Sequence, residues 1–341
     1  MSGKEMSTTY GLRNDDEEEL ETVAETLSIM LQNEQTVYCR RSCDYLLGIR
    51  QDRQAVLIGE VIPPTSMTMI NEADRTQLVD WCYKVVDLFK LEREVVAKAM
   101  DMVDRFLSKS NSCDLVYKIL HDRIQFQLLT VTALYVSIKI NERTVIGSKL
   151  FSIISCDLYS ISDIEDMELS LLCGLSWYIS APTTVQIANH ILKLISSHVT
   201  IQLRRRTWAA ILDEVLYQAE HAVRDYYFVT QHPSTVAIAA IFNAIDRVEE
   251  VHCHQALSTS LIVFIEGESS SYSLTGGSDY CGGEAVCTEK EYHRHDWIDQ
   301  ILASKRRLNF LVYGQYESSS SEKEVDDGEN DVLMRNERYG P

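Results

Sequence analysis

The sequence predicts an all-α protein built from two consecutive five-helix units, each packed around one buried central helix. Apolar residues recur at helical spacing along most of the chain, and no segment shows the sustained apolar–polar alternation of a half-buried strand. Two segments, residues 126–140 and 236–242, are apolar on every side. A helix of that kind is buried on all faces. Because each is flanked by amphipathic segments, two bundles in tandem are the economical arrangement.

The composition is that of a globular protein with an acidic surface. The chain has 341 residues, enough for two domains of about 150 residues each. It carries 32 Lys and Arg against 51 Asp and Glu, for a net charge of −19. Such a surface repels phosphate groups, so we expect neither nucleic acid nor an anionic membrane as a partner.

The chain is expected inside the cell. The apolar run at residues 126–140 is shorter than the roughly 20 residues that span a bilayer. The acidic N-terminus is unlike a signal peptide. The 9 cysteines have no regular spacing, which favours a reducing compartment over a disulfide framework. We therefore expect no membrane association.

The N-terminal part divides into two regions. Residues 1–19 are polar and acidic and are expected to be disordered. Residues 20–69 are expected to form an N-terminal helix, over residues 20–33, and a linker. The linker contains a short apolar cluster at residues 45–49 and a break at Pro63 and Pro64.

The first unit is predicted over residues 70–182. It opens with two amphipathic helices, followed by a segment, residues 113–125, that we interpret as an insertion. The buried central helix follows at residues 126–140. Two further helices are predicted over residues 148–154 and 160–175.

The second unit is predicted over residues 183–312. Pro182 separates it from the first unit, since proline disfavours helix before itself and begins helices well. Pro233 opens its buried central helix. The Gly- and Ser-rich residues 266–290 are predicted to form a long mobile loop, and the last helix is predicted over residues 292–308. The acidic tail, residues 313–341, is predicted to be disordered.

Two charged residues lie where an apolar bundle should have none. Lys139 ends the first central helix, and Glu168 lies on an otherwise apolar helix face. Desolvating either charge alone costs several kcal/mol, so each needs a partner or solvent. From the residues alone, an internal Lys139–Glu168 ion pair or solvent-facing ends would satisfy both.

Several motifs in order resemble the cyclin box. They are Arg-Thr-Gln-Leu-Val-Asp-Trp at residues 75–81, Asp-Arg-Phe-Leu-Ser at 104–108, Ala-Leu-Tyr-Val-Ser-Ile-Lys at 133–139, and Met-Glu-Leu-Ser-Leu-Leu at 167–172 before Ala-Pro-Thr at 181–183. The resemblance covers about residues 70–185. It is weaker over residues 183–250, where Ser-Thr-Val-Ala at 234–237 is similar to the central helix of a second cyclin fold.

This resemblance implies a fold and a function. The fold would be two tandem cyclin folds with an N-terminal helix. The function would be that of a non-catalytic regulatory subunit that binds and activates a cyclin-dependent Ser/Thr protein kinase and controls cell-cycle progression. It implies no cofactor, and a location in the nucleus and/or cytoplasm.

The resemblance also assigns roles to residues. Lys139 and Glu168 would point at the kinase and hydrogen-bond its regulatory helix and a nearby loop. Arg75 and Asp104 match a buried structural ion pair. Five apolar positions match the surface that receives the kinase helix: Val136, Ile140, Leu172, Trp177 and Ile179.

A substrate-docking patch of the family is only partly matched. Leu78, Trp81 and Gln127 fit its pattern. Asp74 and Gln77 stand where the family has apolar residues, and Lys84 stands where it has an acid. The patch should therefore bind peptides of the Arg-x-Leu type weakly.

Other functions find less support in the sequence. A transcription-factor-IIB-like protein would share the fold but needs a basic face and a zinc ribbon. A helical adaptor that keeps the fold without activating a kinase stays open. We find no phosphate-binding Gly-rich loop or catalytic Ser or zinc-protease motif, and therefore predict no catalytic residue. The spacing of Cys281, Cys287, His293 and His295 does not match zinc modules, so we predict no metal site either.

Overall fold

A computed structural model describes residues 6–38, 44–57, 69–109, 114–143, 146–198, 205–249, 251–271 and 286–314. Every regular element in these ranges is a helix, which confirms the all-α prediction. Two helices precede the bundles: α1 (Met6–Gln35) and α2 (Leu46–Leu57). The first bundle comprises α3 (Glu72–Phe89), α4 (Glu94–Lys109), the short α5 (Asp114–Leu120), α6 (Arg123–Asn141), α7 (Ser148–Ile154) and α8 (Ile161–Gly174). The second comprises α9 (Thr184–His198), α10 (Arg205–Arg224), a 3-10 helix (Tyr226–Thr230), α11 (Pro233–Asp246), α12 (Val251–Ser271) and α13 (Val286–Tyr313).

Helix α6 is the centre of the first bundle, as its sequence predicts. Its residues 128–138 are all buried, and it packs against α3, α4, α5, α7 and α8. Asp122 begins the helix by accepting a hydrogen bond from the Ile124 N–H at 2.9 Å. The buried Ser137 hydroxyl donates to the Val95 carbonyl of α4 at 2.8 Å, so the buried polar group is satisfied.

Two helices of the first bundle begin at capping boxes. Asn71 and Asp74 exchange side-chain and backbone hydrogen bonds at the start of α3, and Ser160 and Asp163 do the same for α8. Each box satisfies two N–H groups that would otherwise lack a partner. The boxes fix where α3 and α8 begin.

Helix α11 is the centre of the second bundle and begins at Pro233. The carboxylate of Glu34, at the end of α1, accepts hydrogen bonds from the backbone N–H and the hydroxyl of Ser234. Glu34 is 1% exposed. A buried carboxylate at a helix N-terminus is favoured by the unsatisfied N–H groups and the helix dipole there. Helix α1 is thereby fastened to the second bundle, where Leu27 and Leu31 join the core.

The two bundles are joined by hydrogen-bonded charges. Arg75 of α3 donates to the Val223 carbonyl of α10 at 2.7 Å. Arg93, just before α4, forms a bidentate pair with Glu220 of α10, with both N···O distances 2.7 Å. Arginine forks of this kind fix geometry as well as adding energy. Helix α10 is therefore held against the first bundle at more than one point.

Several element boundaries differ from the predicted ones. Helix α1 begins at Met6, within residues 1–19 that were expected to be disordered. Helix α12 extends to Ser271 and α13 begins at Val286, so both enter the predicted 266–290 loop. Residues 272–285 and 315–341 lie outside the described ranges, and so do the parts of the loop and tail predictions that concern them.

The segment interpreted as an insertion contributes to the first core. Residues 113–125 include α5, whose Val116 and Ile119 are buried at 1% and 0% exposure. Helix α5 packs against α6. The apolar residues in this segment were too few to show helical periodicity, which is why the sequence suggested an insertion.

The described residues contain neither a membrane-spanning helix nor a cluster of metal ligands. None of the helices there is long and apolar enough to cross a bilayer. No group of three or more potential metal ligands lies together among those residues. Cys281, Cys287, His293 and His295 fall outside the side chains that the structure describes.

Candidate functional site

An open groove of about 530 Å³ runs between α6 and α8 on the first bundle. All seven residues that the sequence analysis assigned to partner binding border this groove, together with two that it did not single out. The lining residues are Val136, Lys139, Ile140, Glu165, Glu168, Leu169, Leu172, Trp177 and Ile179.

The groove has an apolar floor and exposed apolar edges. Val136 and Leu172 lie at the base, with 1% and 8% exposure. Ile140 is 44% exposed and Leu169 is 59% exposed, at the two sides. A contiguous apolar surface rimmed by polar residues is typical of a protein-binding site. Its helical walls and apolar floor suit an amphipathic helix.

Helical spacing places four α8 residues in one wall. Glu165, Glu168, Leu169 and Leu172 lie three and four positions apart, on one face of the helix. Glu165 and Leu169 were not identified from the sequence, although their spacing from Glu168 and Leu172 was the available signal. The wall could not be recognised until the packing of α8 on α6 showed which α8 face stays open.

Trp177 reaches the groove from a strained turn after α8. Ser176 and Trp177 both have positive φ, at 53° and 64°. Bulky side chains rarely adopt this conformation, which costs about 1–3 kcal/mol per residue. Hydrogen bonds from the Trp177 N–H to the Leu172 carbonyl, at 2.9 Å, and from the Ser176 N–H to the Cys173 carbonyl, at 3.0 Å, hold the turn. Trp177 is 62% exposed, so it is available to a partner as an aromatic anchor.

Lys139 and Glu168 form an ion pair at the edge of the groove. The Lys139 Nζ lies 3.0 Å from the Glu168 Oε1. The hydrogen bond to Glu168 raises the pKa of Lys139. The Lys139 side chain is 52% exposed and that of Glu168 is 15% exposed. The two charges therefore satisfy each other, while Lys139 also remains open to solvent at the groove.

Arg75 and Asp104 lie away from the groove, inside the first bundle. Two hydrogen bonds of 3.1 and 2.8 Å join the guanidinium to the carboxylate, and both side chains are 4% exposed. The Tyr45 hydroxyl donates to the same carboxylate at 3.0 Å. Asp104 and neighbouring groups raise the pKa of Arg75 against the opposing effect of burial. The pair is positioned for a structural role.

The residues assigned to the substrate-docking patch are partly buried. Leu78 and Trp81 pack against the first core. Asp74 accepts hydrogen bonds from the Asn71 N–H, at 2.9 Å, and from the Arg123 Nε, at 3.1 Å. Its carboxylate is thus committed to the α3 cap and to Arg123. Gln127 on α6 is partly exposed.

The second bundle carries an ion pair at the corresponding end of its central helix. Asp246, the last residue of α11, lies 2.7 Å from the Nζ of Lys305 on α13. Asn243 of α11 donates a hydrogen bond to the Lys305 carbonyl at 3.1 Å. In the first bundle the central helix supplies the cation, whereas here it supplies the anion.

Comparison with known proteins places the groove in a known domain. Residues 31–180 match the family described as cyclin, N-terminal domain. The chain is 28% identical over 197 residues to the G2/mitotic-specific cyclin-B of Hydra viridissima, covering 58% of this chain and 45% of that protein. It is 28% identical over 221 residues to cyclin-B2-2 of Arabidopsis thaliana, covering 61% and 47%. It is 30% identical over 179 residues to the putative cyclin-F3-1 of Oryza sativa subsp. japonica, covering 51% and 41%.

The chain thus spans less than half the length of these curated relatives. Among solved structures, a viral cyclin from herpesvirus saimiri superposes with a TM-score of 0.44 at 13% identity, covering 76% of this chain and 97% of that one. The CAK complex of Chaetomium thermophilum bound to ATP-gamma-S gives a TM-score of 0.45 at 13% identity, covering 81% and 74%.

The family match contains every lining residue of the groove, and the buried Arg75–Asp104 pair as well. The first bundle, which lies within residues 31–180, is therefore similar to a cyclin N-terminal domain.

Proposed function

We propose that this chain is a regulatory subunit that binds a cyclin-dependent Ser/Thr protein kinase through the α6–α8 groove and activates it. The observation that carries the proposal is the open apolar groove, with Trp177 at one end and the Lys139–Glu168 pair at its edge. The names of the relatives, which include G2/mitotic-specific cyclins, agree with a role in cell division. Proteins of this family are non-catalytic.

The groove would act by stabilising one conformation of its partner. A kinase needs its catalytic Lys paired with the Glu of its regulatory helix, and its activation loop open, before it transfers phosphate efficiently. A rigid surface that binds only the inward position of that helix shifts the population toward the active state. The groove is suited to this because both of its walls belong to packed helices of one core.

The ion pair would serve as the polar contact at the rim of this interface. Lys139 retains exposed donor capacity beyond its bond to Glu168, since half of its side chain is open to solvent. It could therefore donate to backbone carbonyls at the end of a docked helix. Glu168, the less exposed of the two, would accept from N–H groups of the partner.

The test uses a charge swap that keeps the pair but reverses its polarity. In the double variant Lys139→Glu/Glu168→Lys the two side chains can still pair, so folding should be preserved. A docked kinase would meet each charge with the wrong sign. We expect binding to a purified panel of cyclin-dependent kinases to fall at least about tenfold, and activation of histone phosphorylation to be lost.

A control is the swap Arg50→Glu/Glu72→Arg, which reverses exposed charges outside the groove, where Arg50 pairs with both Glu72 and Asp44. It should leave kinase binding unchanged. Circular dichroism and thermal melting check that every variant is folded. Unaltered binding by the folded groove variant would remove the groove from the proposal. Binding without activation by the wild-type protein would favour an adaptor.

A further inference from the structure

Glu165 is a carboxylate of the groove that lies one helical turn before Glu168 on α8. Its side chain is exposed and lines the groove beside Leu169. The Ser148 hydroxyl, at the first position of α7, donates a hydrogen bond to the Glu165 Oε1 at 3.1 Å. This bond holds the carboxylate between α7 and α8, at the groove.

Glu165 has no cation at ion-pair distance among the described residues. Lys139, the cation of the groove, is paired with Glu168. Lys149, next to Ser148, lines a separate groove with Phe89 and Leu91. The groove therefore carries one neutralised pair and one carboxylate whose described polar partner is a neutral hydroxyl.

A helix that covers the groove takes water away from Glu165. A carboxylate that loses water without gaining a cation or several donors is strongly disfavoured. A partner that places an apolar or acidic side chain opposite Glu165 therefore binds more weakly, whereas a partner with Lys or Arg there binds more tightly. Such an asymmetry is how charged groups at interfaces give specificity.

We propose that Glu165 is a specificity-determining residue that selects partner helices bearing Lys or Arg opposite it, alongside the apolar residues that enter between Leu169 and Trp177. Such a partner is an amphipathic helix whose basic residues lie along the edge that faces α8. The identity of this helix as part of a kinase rests on the proposed function, whereas the need for a basic residue rests on the groove itself.

The experiment measures the affinity of Glu165 variants for the cyclin-dependent kinases that bind the wild-type protein. Glu165→Gln keeps the shape and the hydrogen bond from Ser148, and removes the charge. Glu165→Lys reverses the charge. Asp166→Asn and Asp166→Lys are the matched controls, since Asp166 is the next residue, is exposed on the same helix, and does not line the groove.

We expect Kd to rise by about tenfold for Glu165→Gln and by more for Glu165→Lys, with less than about twofold change in the Asp166 variants. Raising the salt concentration should weaken the wild type more than Glu165→Gln. Replacing a basic residue of the kinase's regulatory helix by Glu should restore binding to Glu165→Lys, and should weaken binding to the wild type and to the Asp166 variants.

The outcomes separate the two proposals. If the wild type binds kinase and the Glu165 variants bind equally well, the specificity role is wrong and the proposed function stands. If no basic residue of the kinase helix couples to position 165, the specificity role is likewise overturned. If the wild type binds no member of the panel, the proposed function fails, and with it the selection of a kinase helix.

Discussion

At the scale of single residues, Arg75 is where three parts of the chain meet. Its guanidinium pairs with Asp104 of the neighbouring helix and donates to the Val223 carbonyl of the second fold. Tyr45, from the segment before α2, donates to the same carboxylate. Breaking this pair from one side leaves a buried charge without its counter-charge.

Asp104→Asn should therefore destabilise the protein strongly. The buried guanidinium would lose its counter-charge, and the loss should be about 3–5 kcal/mol in the free energy of unfolding. Urea denaturation followed by circular dichroism measures it. Asp80→Asn is the control, because the Asp80 side chain is 46% exposed in its pair with Arg224 and should cost no more than about 1 kcal/mol. Equal losses in the two variants would contradict a special role for the buried pair.

Part of this residue-scale picture could be predicted and part could not. Arg75 and Asp104 were assigned as a pair because they lie in recognisable motifs. The contacts of this pair with the Val223 carbonyl and the Tyr45 hydroxyl were not predicted, since both groups come from segments distant in sequence. For the same reason Glu165 was missed: an exposed Glu on a helix gives no signal until the neighbouring helices define a groove.

At the scale of elements, the end of α8 depends on a close approach between helices. A Cβ on Gly174 would collide with the ring of Phe106 on α4, which is 5% exposed. The absence of a side chain at position 174 lets α8 end against this ring. The strained turn that carries Trp177 follows directly.

Gly174→Ala should thus destabilise the protein, although alanine is the better helix former. Displacing the packed ring should cost about 1–3 kcal/mol. Gly48→Ala on α2 is the control, because nothing lies within 4 Å of its added Cβ. That substitution should stabilise by about 0.5–1 kcal/mol. The two melting temperatures should move in opposite directions, and a higher value for Gly174→Ala would contradict the close contact.

Elements were predicted best where the apolar pattern was long. The fully apolar runs gave α6 and α11, because a helix without a polar face has only a buried position available. Helix α5, with seven residues, is too short to show periodicity. The placement of α1 on the second fold was not predictable, since its apolar stripe does not say which bundle covers it.

At the scale of the whole molecule, cysteine and tyrosine side chains that are buried in their neutral form make the fold less stable at alkaline pH. Burial raises the pKa of the fully buried Cys82 to about 12. Burial also raises the pKa values of Tyr45, Tyr83 and Tyr226 above their ordinary range. The folded protein therefore retains protons at high pH that the unfolded chain releases.

Stability should fall as the pH rises above about 8.5, the ordinary pKa of a cysteine. The contribution of Cys82 is fully present below that pH and is lost toward its folded pKa, at about 1.4 kcal/mol per pH unit. The tyrosines should steepen the fall above about pH 10. Urea denaturation between pH 7 and 10 measures this slope.

Cys82→Ala should start at a lower stability because of lost packing, and should show a flatter slope between pH 8.5 and 10. Cys173→Ala, at an exposed position, should keep the wild-type slope. A wild-type curve that stays flat to pH 10 would contradict the buried neutral thiol.

The ion pair of the second bundle has the opposite polarity to the pair of the first, which bears on how many partners the molecule is expected to bind. In the first bundle the central helix supplies the cation, Lys139, and the last helix supplies the anion, Glu168. In the second bundle the central helix supplies the anion, Asp246, and the last helix supplies the cation, Lys305. A docking element matched to one arrangement meets opposite signs at the other. The second bundle therefore does not offer a second copy of the proposed docking site. We expect complexes of one-to-one stoichiometry, with the partner bound to the first bundle.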